Sequence, residues 1–291
     1  RTIMNIWAIT HNNFLVKFRY MKNNYSLITG ASSGIGLEIA KQLAEKGNNI
    51  LLTARREKKL IELKAEITSN FNVNCDYISA DLSEIDSPQK IYNYCQEKGY
   101  FINILVNNAG FALPDHFHKT SMEDEEIFLR VLSTAVISMT KIFLPNMINE
   151  GDGKIMIVSS VAAYAPPSKI QSLYGPVKTF MNRFSEAINL SYNDKGVYST
   201  ALCPGYTVTN FHTASGVQDE MDSVPKFLKK TASRIAKEGV DGMMKKRRVV
   251  VPTKTWKIIV ILLKIVPKVI FDVLSSVLAP GRYTEKDDDL G

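Results

Sequence analysis

From Tyr25 onward, short apolar runs alternate with longer amphipathic ones. The runs YSLIT, NILLTA, CDYISA, INILVNN, KIMIVSS and YSTALCP are strand-length and rich in Ile, Leu and Val, so they read as strands. Between them, residues 35–46, 57–69, 86–98, 121–149 and 174–194 read as helices. Strands that alternate with helices imply βαβ units and a parallel sheet covered on both faces. The expected fold class is therefore α/β, a single-domain doubly wound parallel β-sheet with helices on both faces. No internal repeat, low-complexity linker or domain boundary interrupts the pattern before about residue 210.

One junction in this pattern carries chemistry. In YSLITGASSGIGLEIAKQLAEKG, Tyr25 to Gly47, a strand passes through GASSGIG into a helix that closes at Gly47. A glycine-rich turn in that place presents backbone N–H groups at a helix N-terminus, where a dinucleotide pyrophosphate can sit. Side chains at Gly30, Gly34 or Gly36 would block the cofactor or the packing of the helix.

The spacing Thr-Gly-x-x-x-Gly-x-Gly, and further stretches in the same order, resemble the short-chain dehydrogenase/reductase family over roughly residues 24–210. The resemblance implies a Rossmann-type sheet and an oxidoreductase. It makes Gly30, Ser32, Ser33, Gly34, Ile35 and Gly36 the expected cofactor turn, and Asp81 with Leu82 the adenine contact. It places Asn107, Asn108 and Ala109 of NNAG beside the cofactor, and Pro204, Gly205, Thr207 and Thr209 of PGYTVT in the nicotinamide loop. By the same resemblance Ser160, Tyr174 and Lys178 are catalytic, and Lys178 also holds the nicotinamide ribose. A homodimer or homotetramer would suit the family.

The second strand bears on the choice of cofactor. A chain preferring NAD usually places an acid after this strand to hold the ribose 2′-hydroxyl, whereas here Arg55 and Arg56 follow NILLTA. A guanidinium makes charge-assisted, often bidentate contacts with phosphate. NADP(H) is the expected cofactor, with Arg55 as the main 2′-phosphate contact and Ser32 beside it. Tyr174 and Lys178 are four residues apart and share a helix face, and Pro176 fits only if that helix begins near Tyr174. A phenol titrates near ~10, and a neighbouring ammonium favours its ionised form, which suits a general acid–base. The expected reaction is hydride transfer between NADPH and a small hydrophobic ketone or secondary alcohol.

One position departs from the family pattern. The helical asparagine that helps to hold a relay water aligns with Leu132, and no asparagine lies between Asn108 and Asn146. Either Ser133 or Thr134 substitutes, or the relay is slower, or the chain is a catalytically weak NADP-binding sensor associated with a membrane or partner. His116 and His118 lack a further ligand cluster, so no metal site is expected.

Composition refines this picture at the ends of the chain. The 291 residues include three cysteines, too few and too scattered for a disulfide framework, which favours a reducing, cytoplasmic setting. The net charge of +7 is concentrated: from Lys226 to Lys268 there are thirteen Lys or Arg against two acids, so the rest of the chain is net acidic. No aromatic residues interleave with the basic KKRR run, and no nucleic-acid partner is expected. Residues 1–20 read as an extension that is not native, with a natural start at Met21. Residues 21–255 read as the catalytic domain, with a substrate lid at about 210–245. Residues 256–291 read as an apolar, basic tail whose segment 256–279 either associates peripherally with a membrane or packs in a dimer interface.

Overall fold

The computed structural model describes residues 23–113, 115–168, 170–209 and 224–265. The expected start at Met21, the extension before it and the end of the tail lie outside these residues. The six apolar runs form strands β1 (Asn24–Thr29), β2 (Asn49–Ala54), β3 (Cys75–Ser79), β4 (Phe101–Asn107), β5 (Gly153–Val158) and β6 (Val197–Leu202). Three two-residue strands follow: β7 (Thr207–Val208), β8 (Lys230–Thr231) and β9 (Val249–Val250). The helices are α1 (Gly34–Glu45), α2 (Glu57–Asn70), α3 (Ser87–Lys98), α4 (Met122–Leu129), α5 (Ala135–Glu150), α6 (Tyr174–Tyr192), α7 (Ala232–Met244) and α8 (Lys254–Ile265).

Seven strands make one parallel sheet in the order β3-β2-β1-β4-β5-β6-β9, while β7 and β8 pair separately. Successive residues of a strand point to opposite faces, and both faces here are covered. Leu27, Leu51, Leu105 and Ile155 pack with Ile91 of α3, Phe143 of α5 and Met181 of α6. Their neighbours Ile28, Leu52, Val106 and Met156 pack with Ile39 of α1, Leu60 of α2 and Val240 of α7. This is why the strands read as continuous apolar runs rather than alternating ones. The stretch 122–150 is long and apolar enough to cross a membrane, yet Phe128, Met139, Phe143 and Met147 pack in the first of these layers.

The C-terminal quarter differs from expectation. Residues 232–244, expected within a lid, form α7, which packs beside α1 on the sheet and buries Ile235, Val240 and Met243. The reason is its spacing of Ile235, Ala236, Val240 and Met243, which builds one apolar face against the second core layer. The loop portion of that lid, 210–223, lies outside the described residues. The basic run Lys245–Arg248 ends at β9, a strand with no separate signal in the sequence.

Trp256 ties the following helix α8 to the domain. Its indole donates to the Leu228 carbonyl at 2.9 Å, packs with Val224 and Leu228, and fills the space that a side chain at Gly205 would need. Replacing a buried Trp by Ala costs roughly 3–5 kcal/mol. Trp256→Ala should therefore lower the urea midpoint clearly without changing the slope of the transition. An unchanged midpoint would mean that α8 rests on the domain without contributing to its stability.

Candidate functional site

The strand order reverses between β1 and β4, which opens a crevice at their C-terminal ends. The loops on its two sides are locked together. Thr29 Oγ1 accepts from the backbone N–H groups of Asn108 (2.9 Å) and Ala109 (3.0 Å), and the Asn108 amide donates to the carbonyls of Thr29 (2.9 Å) and Gly30 (3.2 Å). Gly30 has φ +65°, and a Cβ there would lie 2.8 Å from both the Ala109 Cα and the Asn108 amide nitrogen. A Cβ at Gly36 would run into the same amide and into the Gly30 carbonyl.

A cavity of about 700 Å³ extends from this crevice. At one end lie Gly30, Ser32, Ser33, Gly34 and Ile35, with Arg55 and Arg56 behind them and Asp81 and Leu82 beside them. Asn108 and Ala109 follow, then Ser160, Tyr174 and Lys178, then Pro204, Gly205, Thr207 and Thr209. Two expected contacts lie behind this wall. Asn107 is buried, and its amide lies 3.4 Å from Thr140 Oγ1 on α5. Gly36 is buried beneath Asn108. Both hold the turn in place rather than lining the cavity.

The turn has the character of an anion site. α1 begins with no side-chain cap and no acid in its first turn, so its leading N–H groups and positive dipole end face the turn. Arg56 donates to Ser32 Oγ (2.9 Å) and Ser33 Oγ (2.8 Å). Arg55 is 73% exposed, with Nη1 3.8 Å from an Asp81 carboxylate oxygen. Ser32, expected beside Arg55, is bound to Arg56 instead. A dinucleotide fits this end, since it offers two basic groups, a bare helix terminus and a turn with no room for side chains.

At the other end, α6 starts at Tyr174, which puts Pro176 in its first turn. Lys178 is buried, and its ammonium donates to the Val158 carbonyl at 2.9 Å and lies 5.5 Å from the centre of the Tyr174 ring. Burial pulls its pKa down to about 8, so at neutral pH it is still largely charged. Ser160 Oγ accepts from the Ala162 N–H at 3.1 Å, which leaves its own proton to be donated elsewhere.

Leu132 lines the cavity beside Gly110 and sits in a π-helical turn, Arg130–Thr134, between α4 and α5. Ser133 donates to the Leu129 carbonyl at 2.6 Å and Thr134 to the Arg130 carbonyl at 3.2 Å. Both hydroxyl protons are thus spent within the helix. π-turns free backbone carbonyls and recur at functional sites.

Several residues around the cavity carry no motif in the sequence. Phe111, Ile127, Leu228, Trp256, Ile259 and Leu263 give it apolar walls. Gln171, in the left-handed region at φ +57°, accepts from the Tyr174 N–H at 2.9 Å and so fixes where α6 begins.

Fold and site together have the make-up of a dinucleotide-binding domain of the Rossmann type. The chain belongs to the short chain dehydrogenase family, whose family model matches residues 24–220. It is 31% identical over 197 residues to the very-long-chain 3-oxoacyl-CoA reductase of Anas platyrhynchos, covering 66% of this chain and 62% of that protein. It is 35% identical over 190 residues to 17-beta-hydroxysteroid dehydrogenase type 3 of Rattus norvegicus, covering 64% and 60%. The inactive hydroxysteroid dehydrogenase-like protein 1 of Homo sapiens is 30% identical, with 66% and 58% covered. The match thus spans about six-tenths of these relatives' length. Among solved structures, the short-chain dehydrogenase from Sphingobium yanoikuyae in complex with NADPH superposes with a TM-score of 0.74 at 25% identity, covering 92% of this chain and 98% of that one.

The buried lysine has a measurable signature. Its folded pKa lies below the ordinary value of 10.5, so between about pH 8 and 10.5 the unfolded chain binds a proton that the folded one does not. Stability then rises with pH in that window relative to a protein without the group, by about 3 kcal/mol over the whole of it. Unfolding free energies of the cofactor-free protein and of Lys178→Met should diverge in this direction from pH 7 to 10. A constant difference would show that the amine keeps an ordinary pKa.

Proposed function

We propose that the chain is an NADP(H)-dependent carbonyl reductase or alcohol dehydrogenase acting on an apolar ketone or secondary alcohol. One observation carries this reading: the glycine turn and Ser160, Tyr174 and Lys178 line a single cavity that Phe111, Ile127, Leu228, Trp256, Ile259 and Leu263 also wall. When bound, the nicotinamide supplies the hydride to the carbonyl carbon. Ser160 donates a hydrogen bond to the carbonyl oxygen and steadies the charge that develops there. The Tyr174 phenol gives its proton to that oxygen. The Lys178 ammonium favours the phenolate that remains. Arg55 and Arg56, with Ser32, hold the 2′-phosphate, in keeping with the absence of an acid directly after β2. The relatives named for 3-oxoacyl-CoA and hydroxysteroid chemistry support a ketone carried on a large apolar body.

One observation favours a second reading. With Leu132 at the relay position and no hydroxyl in its place, the chain would bind NADP yet turn over weakly.

Loss of NADPH absorbance at 340 nm with 3-oxoacyl esters and steroid ketones separates the two. Turnover should fall about 10²- to 10⁴-fold in Tyr174→Phe, the usual worth of a positioned general acid, and rise in Leu132→Asn. Binding of NADPH without consumption by the wild type would leave the second reading standing. Arg55→Asp should shift the NADPH/NADH preference toward NADH by about 10- to 100-fold, corresponding to one charge-assisted hydrogen bond of roughly 1.5–3 kcal/mol. An unchanged ratio would remove Arg55 from the cofactor site.

A further inference from the structure

The helix Lys254–Ile265 is apolar on two opposite sides. Its inner side puts Trp256, Ile259 and Leu263 into the cavity wall and buries Val260. Its outer side carries Ile258, Ile261, Leu262 and Ile265 at the i, i+3, i+4, i+7 spacing of one helical stripe, 59%, 54%, 47% and 73% exposed. A helix apolar all round normally lies inside a protein or a membrane, and four adjacent aliphatic side chains in water mark an interaction surface rather than scattered exposure.

The charges around the stripe point to the occupant. Lys254 is exposed at its N-terminal end, and Lys257 and Lys264 flank it on one side. Lys264 lies 4.8 Å from the centre of the Tyr164 ring, so the C-terminal end of the helix lies beside the segment that follows Ser160. On the neighbouring turn, Phe227 is exposed next to Lys226, while Leu228 of the same turn joins Trp256 in the cavity wall. The nearby acid Glu238 is held by the Thr253 N–H (2.9 Å) and pairs with Lys257 at 3.8 Å. Aliphatic side chains bordered by lysines are the make-up of a helix that lies in a lipid interface with its apolar face among the acyl chains.

We infer that the outer face of Lys254–Ile265 docks on an anionic lipid surface, and that an apolar substrate passes between that lipid and the cavity beside the same helix. The second half rests on the function proposed above; the first does not. Docking sets the mouth of the cavity against the layer in which an apolar ketone dissolves.

The test is flotation of the full chain with phosphatidylcholine vesicles, with and without phosphatidylserine. Binding should require phosphatidylserine and weaken with salt. It should fall by about tenfold or more for each of Ile258→Glu, Ile261→Glu and Ile265→Glu, and should fall in Lys254→Glu. Thermal unfolding checks that these exposed positions leave the fold intact. Absence of flotation, or flotation untouched by the isoleucine substitutions, would overturn the docking surface. A dimer in size-exclusion chromatography that the same substitutions dissolve would overturn it too, by making a second copy the occupant. For the substrate path, the triple variant should lose kcat/KM for a long-chain ketone held in vesicles and keep it for a short water-soluble one. Equal loss for both would overturn the path. If the wild type reduces neither ketone, the proposed function and the path fail together, while flotation still decides the docking surface.

Discussion

The site depends on the amide of Asn108. It spans the crevice between β1 and β4 and donates to the carbonyls of Thr29 and Gly30, while Thr29 returns the contact by accepting from the backbone on the far side. An open sheet whose connections leave in opposite directions at this point has no covalent reason to keep its two loops in register. These hydrogen bonds supply one. They also explain two of the glycines without reference to any ligand, since the spaces where Cβ atoms of Gly30 and Gly36 would stand are taken by Asn108. The pyrophosphate end of the cavity is thus shaped by the protein's own loop packing. A cofactor meets a cradle that is already formed, and less ordering entropy is left to be lost on binding.

At the other end the constraint is electrostatic. Lys178 is held in a buried place by one carbonyl and beside the Tyr174 ring, where burial has already brought its pKa to about 8. Leu132 stands on the cavity wall where the resemblance places an asparagine. Leu132 brings no polar atom on its side chain, and the hydroxyls of Ser133 and Thr134 are turned back onto the helix. What remains at that wall is the backbone of a π-turn, whose hydrogen-bond ladder runs i to i+5 at Ala135 and Arg130.

Much of this was legible before any coordinates. β1 to β6 announce themselves because a parallel strand buried on both faces has to be apolar throughout. The glycine turn and the Tyr174–Lys178 pair announce themselves because each needs particular residue types at fixed spacing. What was not legible shares a physical cause. β9 exists through bonds from the Ala201 N–H to the Arg248 carbonyl and from the Cys203 N–H to the Val250 carbonyl, which involve no side chain. Trp256 closes the cavity because its indole lies over Gly205, fifty-one positions earlier in the chain. Arg56 rather than Arg55 reaches Ser32 through the twist of a single turn after β2, a choice that two adjacent arginines do not disclose. α7 resembled a lid only because the helix it packs against, α1, is some two hundred residues away in sequence.

The charge of the C-terminal quarter makes the same point in a way that matters for function. Read along the chain, the lysines and arginines of 226–268 form one basic block. In the fold two groups of them separate at β9. Lys245 and Lys246 precede that parallel strand and lie toward the N-terminal end of β6, away from the crevice, where Lys246 rests over the Tyr198 ring. Lys254, Lys257 and Lys264 follow the strand and lie at the C-terminal edge, on the helix that walls the cavity. A diffuse net charge would attract any anion to the whole surface. Divided in this way, it leaves lysines at one end and along one side of the apolar stripe on the helix that walls the cavity, so the field and the greasy surface act at the same place. The sequence contains every one of these residues, but only the crossover from β6 through α7 to β9 assigns them to opposite ends of the molecule.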